Sequence, residues 1–200
     1  TPTLTTAAPA YDLDLFGSGT IITNAVTFLN TGSLTLGDAA ADTLLFNGGL
    51  TATAPSGVTL NATLRSSADT ITIGDAGTGL TLAGTTSIID TTNAGGSLLG
   101  GIIAVDGAVV GTVANTQSLT LDAGTAGTIA FSSTVGAATS LATLTVTNSN
   151  GATFTGAVTA ATSVVLTDTE NAANITFTGA LITPTLTTAA PAYDLDLFGS

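Results

Sequence analysis

Asp12 and Asp14 alternate with Leu13 and Leu15, and the same Asp-Leu-Asp-Leu phrase returns at Asp194 and Asp196. If the phrase is a strand, period-two alternation puts both carboxylates on one face, about 7 Å apart. The chemistry such a pair offers is that of a hard cation, since Ca²⁺ takes oxygen ligands from carboxylates and neighbouring carbonyls. The plainer reading is that these acids are solvated charges that discourage pairing with a wrong strand. The calcium-binding nonapeptide GGxGxDxUx does not occur in the chain. Asp12, Asp14, Asp194 and Asp196 are thus the calcium candidates, and no other cofactor is expected.

The remaining residue types narrow the chemistry. The 200-residue chain has no Cys, His, Met, Trp or Lys, one Arg (Arg65), twelve Asp and one Glu (Glu170). General acid–base work near neutral pH leans on His or on carboxylates and amines with shifted pKa, and a nucleophilic Ser or Thr needs a base beside it. Zinc, copper, haem and iron–sulfur sites normally need Cys or His ligands. The expectation is that the chain is not an enzyme. Gly74, Gly77 and Gly79 in GDAGTGL form a nominal glycine-rich loop, but no helical pattern follows to lend its N-terminus to a phosphate, so a turn is expected. Asn61-Ala62-Thr63 and Asn174-Ile175-Thr176 match the glycosylation sequon at a frequency that the Asn, Ser and Thr content makes unremarkable. Thr-x-Thr triplets at Thr143 to Thr145, Thr153 to Thr155 and Thr176 to Thr178 suggest an ice-binding rank; against that, Thr simply suits an outward strand position and the triplets keep no fixed spacing.

A net charge of −12 with a single basic residue cannot neutralise phosphates, so nucleic acid and anionic membrane surfaces are not expected partners. Mean hydropathy is positive at +0.58. Even so, the most apolar run, GGSLLGGIIAV before Asp106, falls short of the roughly 20 residues that a spanning helix needs. Aromatic residues, 4% of the chain, are too few for the girdles of a membrane barrel. No membrane insertion is expected of this segment.

The elements that must position these groups read as strands. Thr, 44 of the 200 residues, alternates with apolar residues in Leu34-Thr35-Leu36, Ile71-Thr72-Ile73, Leu119-Thr120-Leu121, Leu144-Thr145-Val146 and Ile175-Thr176-Phe177. That alternation marks half-buried strands with Thr outward. Gly, Asn, Asp and Ser clusters such as Asn47-Gly48-Gly49 and Asn148-Ser149-Asn150-Gly151 separate them as turns. The five Pro, at 2, 9, 55, 184 and 191, are expected at turns or strand ends.

Two repeats overlie this pattern. Thr1 to Ser18 recurs letter for letter as Thr183 to Ser200. Residues 1–182 read as one full tandem repeat and residues 183–200 as the start of the next, in one continuous solenoid without a linker. A finer phrase runs from Ser33 to Phe46, Ser118 to Phe131 and Ser163 to Phe177, spacings of 13, 13 and 14. From the weaker copy near Thr70 through Ser118 and the weaker copy near Ala142 to Ser163, its starts lie apart by one or two multiples of roughly 22 to 25 residues, the size of a solenoid coil. A lone coil cannot bury its apolar face, whereas stacked coils pair their backbones at about 4.8 Å. The expected fold is all-β, a parallel β-solenoid with about eight coils in each 182-residue repeat and a rise on the order of 40 Å. Thr183 is then expected eight coils along the rod from Thr1, at the same corner. The alternative is a pair of immunoglobulin-like β-sandwiches per repeat, against which stand the missing Trp and the inner spacing.

The Thr/Gly/Ala/Asn-rich strands, the SLTL-like and TFTGAV-like phrases, the missing Cys and the long identical repeat resemble the repeat regions of giant bacterial surface proteins, the autotransporter and filamentous-haemagglutinin-like adhesins. The resemblance covers the whole chain. It implies a right-handed parallel β-solenoid, exported to the extracellular cell surface and acting as stalk or adhesin; it carries over no functional residue. With Arg65 the only trypsin-type cleavage point, an exposed fibre would resist such proteases. The functional expectation is a structural repeat of an extracellular fibre. Its partners would be neighbouring repeats or head-to-tail copies, with lateral bundling of rods. A ligand-binding adhesin repeat for carbohydrate, a surface or ice, or a self-assembling filament subunit, is the alternative.

Overall fold

In the strand Ser33–Leu36, Leu34 and Leu36 are buried while Ser33 and Thr35 are half-buried. Ile71–Ile73 and Leu80–Leu82 repeat the same in-out-in pattern. Because successive strand side chains point to opposite faces, each short strand delivers two apolar side chains to one side. The computed structural model describes residues 1–167, 173–189 and 193–199, and among them every regular element is a strand; there is no helix. No described helix is therefore long and apolar enough to cross a membrane. Pro55 and Pro184 fall between strands and Pro2 and Pro9 ahead of the first one, while Pro191 lies outside the described residues.

The strands stack into three faces of a parallel β-solenoid with coils of about 23 residues and about eight turns. Leu13–Leu15, Ser33–Leu36, Gly57–Leu60, Leu80–Leu82 and Val109–Gly111 build the first face. Val135 continues it by bridging Val109 and Val158, and Val158 in turn pairs with Leu181. The second face runs from Thr20–Ile22 through Thr43–Phe46, Thr63–Arg65, Thr86–Asp90, Ser118–Asp122 and Leu141–Asn148 to the end of Val158–Leu166 and Leu186–Thr188. Val26–Thr27, Leu50–Ala52, Ile71–Ile73, Ile103–Val105, Ile129–Phe131, Ala152–Phe154, Asn174–Phe177 and Asp194–Leu197 form the third. Neighbouring strands on every face are parallel, as coils wound in one sense require and as antiparallel sandwiches would not be. The ladder also passes through corners, where Gly37 N–H donates to Leu15 O, Asn61 N–H to Leu36 O and Ala83 N–H to Leu60 O.

One apolar core runs up the interior from Ile22 to Phe177. On the third face Phe131, Phe154 and Phe177 are in register, and their rings stack with centroids 5.1 and 4.9 Å apart. That separation matches the strand spacing of about 4.8 Å, so the backbone ladder sets the aromatic stack. The Ser-to-Phe phrase changes faces freely: Ser33 to Phe46 joins the first face to the second, whereas Ser118 to Phe131 joins the second to the third.

The duplicated segment does not return to its corner. Leu13 lies on the first face against Leu34, yet its counterpart in the second copy, Leu195, lies on the third against Ile175. The other half of the segment moves in the same sense. Residues 1–6 run under the third face, where Thr23 N–H donates to Thr1 O and Asn24 N–H to Pro2 O. The counterpart of Leu4, Leu186, pairs with Val164 on the second face. Thr183 therefore misses the expected corner, because coils that carry extra residues outside the ladder are longer than the others. The step from Ile71 to its in-register partner Ile103 is longer by far than the step from Thr153 to its partner Thr176.

Candidate functional site

Those extra residues form the one long excursion among the described corners. Between Thr86–Asp90 and Ile103–Val105 residues 91–102 form a corner loop whose ends stay bonded to the neighbouring coils, Thr91 N–H donating to Asp122 O and Ile71 N–H to Ile102 O, where Thr43–Phe46 and Leu50–Ala52 are joined by residues 47–49 alone. Asp90, 6% exposed, closes the base of this loop. Its Oδ1 accepts from Thr92 N–H at 2.7 Å and Thr92 Oγ1 at 2.6 Å, and its Oδ2 from Ala94 N–H at 2.7 Å. Arg65, directly beneath in the ladder, puts its Nε 3.4 Å from Asp90 Oδ2. This is an ion pair without the alignment of a hydrogen bond, and it uses the only Arg or Lys in the chain. Thr91 Oγ1 donates to Gly101 O and accepts from Gly101 N–H, pinning the two ends together. Asn93, Ala94, Gly95 and Gly100 turn the loop with positive φ. Its apex folds over the next coil, where Thr125 N–H donates to Leu98 O and Ala126 N–H to Leu99 O. The Leu98 and Leu99 side chains point away, 69% and 64% exposed. The apolar run that composition marks as the most membrane-like is thus half loop apex and half core strand.

The calcium candidates do not converge. Asp12 Oδ1 accepts from Ser33 N–H at 2.7 Å and Ser33 Oγ at 2.8 Å in the coil above. Asp14 is exposed beside Thr35. Asp194 and Asp196 lie on a different face, in register with Asn174 and Thr176, and Asn174 Nδ2 approaches Asp196 Oδ2 at 3.5 Å. No group of three or more acidic side chains suited to a metal occurs among the described residues. Of the four, Asp12 acts as a cap and ties two coils together.

Two other carboxylates do the same within turns. Asp42 Oδ2 accepts from Asp38 and Ala39 N–H, and Asp75 Oδ1 from Gly77 and Thr78 N–H. The glycine-rich GDAGTGL phrase is therefore a turn organised by Asp75. The Ser33 backbone N–H, then its hydroxyl, holds the Asp12 carboxyl below its ordinary range. The Asp38 N–H does so for Asp42, and the N–H groups of Gly77 and Thr78 for Asp75. A carboxylate whose folded pKa is lowered contributes stability at pH above its unfolded value, and that contribution is lost as pH falls through the folded value. The thermal midpoint is expected to begin falling below about pH 4. A triple Asp12→Ala, Asp42→Ala, Asp75→Ala variant, less stable at neutral pH, should show a shallower fall in the same melting series.

The Thr positions make columns that are interrupted. On the third face the outward column reads Thr27, Thr51, Thr72, Ala104, Ala130, Thr153, Thr176 and Asp196. On the first it reads Asp14, Thr35, Thr59, Thr81 and Val110. A recess of about 290 Å³ opens at the last described coil, lined by Phe177, Gly179, Leu181, Thr183, Leu186, Leu197 and Gly199. It is the interior of that coil, and none of its lining side chains titrates. No protein-family model, no curated protein and no solved structure matches the chain. The functional reading therefore rests on the geometry.

Sequence reading missed the loop at residues 91–102 and the Arg65–Asp90 pair. Their signal was present only as the sole basic residue and as a Gly-Gly-flanked pair of leucines, Leu98-Leu99. Pairing Arg65 with Asp90 requires knowing which residues lie one coil apart.

Proposed function

We propose that the chain is a structural segment of an extracellular surface fibre or stalk, of the kind found in large bacterial adhesins, with a mechanical role and no catalytic one. One observation carries this reading: the duplicated segment, Thr1 to Ser18 and again Thr183 to Ser200, sits in a rod whose coils all use the same parallel ladder. A solenoid is extended by adding coils, each bonded only to its neighbours, so duplication lengthens it without redesign. The near-absence of Lys and Arg suits exposure to trypsin-like proteases. Immunogold labelling of the native cells with antibody to this chain tests the reading. Label along thin surface filaments is the expected result; label confined inside the cell contradicts it.

The exposed Leu98 and Leu99 favour a second reading, in which the fibre also adheres through the loop at residues 91–102. Asp90→Ala removes the charged acceptor that closes the loop, with an expected local loss of about 1.5–3 kcal/mol. Hydrogen exchange should rise at residues 91–102 while the coils on either side keep their protection. If the loop is adhesive, the same variant loses retention on glycan arrays or apolar surfaces that hold the wild type. A passive fibre shows no retention for either protein.

A further inference from the structure

We propose that the 182-residue period is out of phase with the coil by one face, so that successive periods present the same side chains on the three faces of the rod in turn. This rests on the tandem-array reading for its consequences, although its geometry lies within one chain. From Leu13 the first face is revisited at Leu34, Val58, Leu80, Val109, Val135, Val158 and Leu181, seven complete coils. The stretch left between Leu181 and Leu195 carries the chain past Leu186 on the second face to the third. That stretch is too short for an eighth coil, because even the shortest in-register coil step, Leu141 to Ala160, is longer. One period is therefore seven coils and two faces.

The faces can exchange sequences because each asks for the same thing, apolar side chains inward at every second position. Ser33–Leu36 places Leu34 and Leu36 inward on the first face, and Ser118–Asp122 places Leu119 and Leu121 inward on the second. The duplicated segment does likewise: Leu13 and Leu195 both pack against the core, on different faces. A rigid repeat can thus be rotated by roughly a third of a turn and still continue the ladder.

At about 4.8 Å per coil one period rises about 37 Å, and the original face returns only after three periods, about 110 Å. The loop at residues 91–102 would point in three directions along the fibre. A neighbouring rod or flat surface touching one side meets it once in three periods. Contacts arriving from all sides meet one copy per period, an arrangement that suits multivalent attachment around the fibre.

Cysteine pairs in the 200-residue chain, which has no native Cys, test the phase. Thr176 and Asp196 are in-register outward neighbours on the third face, at a strand spacing of about 4.8 Å that a disulfide accepts. Thr176→Cys with Asp196→Cys is expected to form an intrachain disulfide under mild oxidation. Asp14→Cys with Thr35→Cys, the counterpart on the first face, serves as the positive control. Ile182→Cys with Asp196→Cys would close only if the second copy lay on the first face above Ile182, and is expected to stay reduced. Closure of 182 with 196, or failure of 176 with 196 while the control closes, overturns the proposal. Because the readout is intrachain, it is independent of the labelling experiment that tests the fibre reading.

Discussion

Phe154→Ala is expected to cost about 3–5 kcal/mol. The ring is fully buried and stacked between Phe131 at 5.1 Å and Phe177 at 4.9 Å. In a globular core, part of the resulting cavity closes as neighbours relax. Here the stacked rings are tied to strands whose spacing is fixed by ladder hydrogen bonds, so the coils cannot approach to fill the gap. Denaturant unfolding of the 200-residue chain should show the loss as a lower midpoint. Hydrogen exchange should rise first in Ile129–Phe131, Ala152–Phe154 and Asn174–Phe177, because solenoid stability is close to a sum of neighbour terms. A loss below about 1 kcal/mol would mean that the stack does not contribute as the cavity argument requires.

Gly107→Ala should be of comparable severity despite adding one methyl group. A Cβ at Gly107 would lie 1.9 Å from Thr78 O and 2.8 Å from its carbonyl carbon, both backbone atoms of the adjacent coil. No side-chain rotamer relieves such a contact; the coils must separate at that corner, breaking ladder bonds nearby. The expected cost is about 2–3 kcal/mol, toward the upper range for overpacking. Gly57→Ala is the matched control, since a Cβ there meets nothing within 4 Å; that change should be neutral or slightly stabilising. Equal melting temperatures for the two variants would contradict the close approach of the coils at Gly107.

Most of the fold was legible in the sequence because a solenoid repeats one local rule. Leu34-Thr35-Leu36 and Ile71-Thr72-Ile73 alternate with period two, and each is an in-out-in strand. The recurrence of the Ser-to-Phe phrase gave the coil length because Ser118, Thr143 and Ser163 are in register on the second face, each one coil from the next. The phase was not legible. It depends on how many residues leave the ladder, and the loop at residues 91–102 looks in sequence like more apolar strand. Only the pairing of Ile71 with Ile103 reveals that the intervening residues are spent outside. The carboxylates were legible as exposed and acidic, but not as caps. The partner of Asp12 is Ser33 in the next coil, and naming it requires the exact length of one particular coil.

If each 182-residue period is a stretch of stacked coils in an extended rod, the native material must carry the coil spacing along its length. Diffraction from aligned native filaments, with electron micrographs of the same material, tests this most directly. The expected result is a reflection near about 4.8 Å along the filament axis, with a length of about 37 Å for each period. The same spacing running across the axis instead of along it, or about twice that length per period, would contradict the stacked-coil rod.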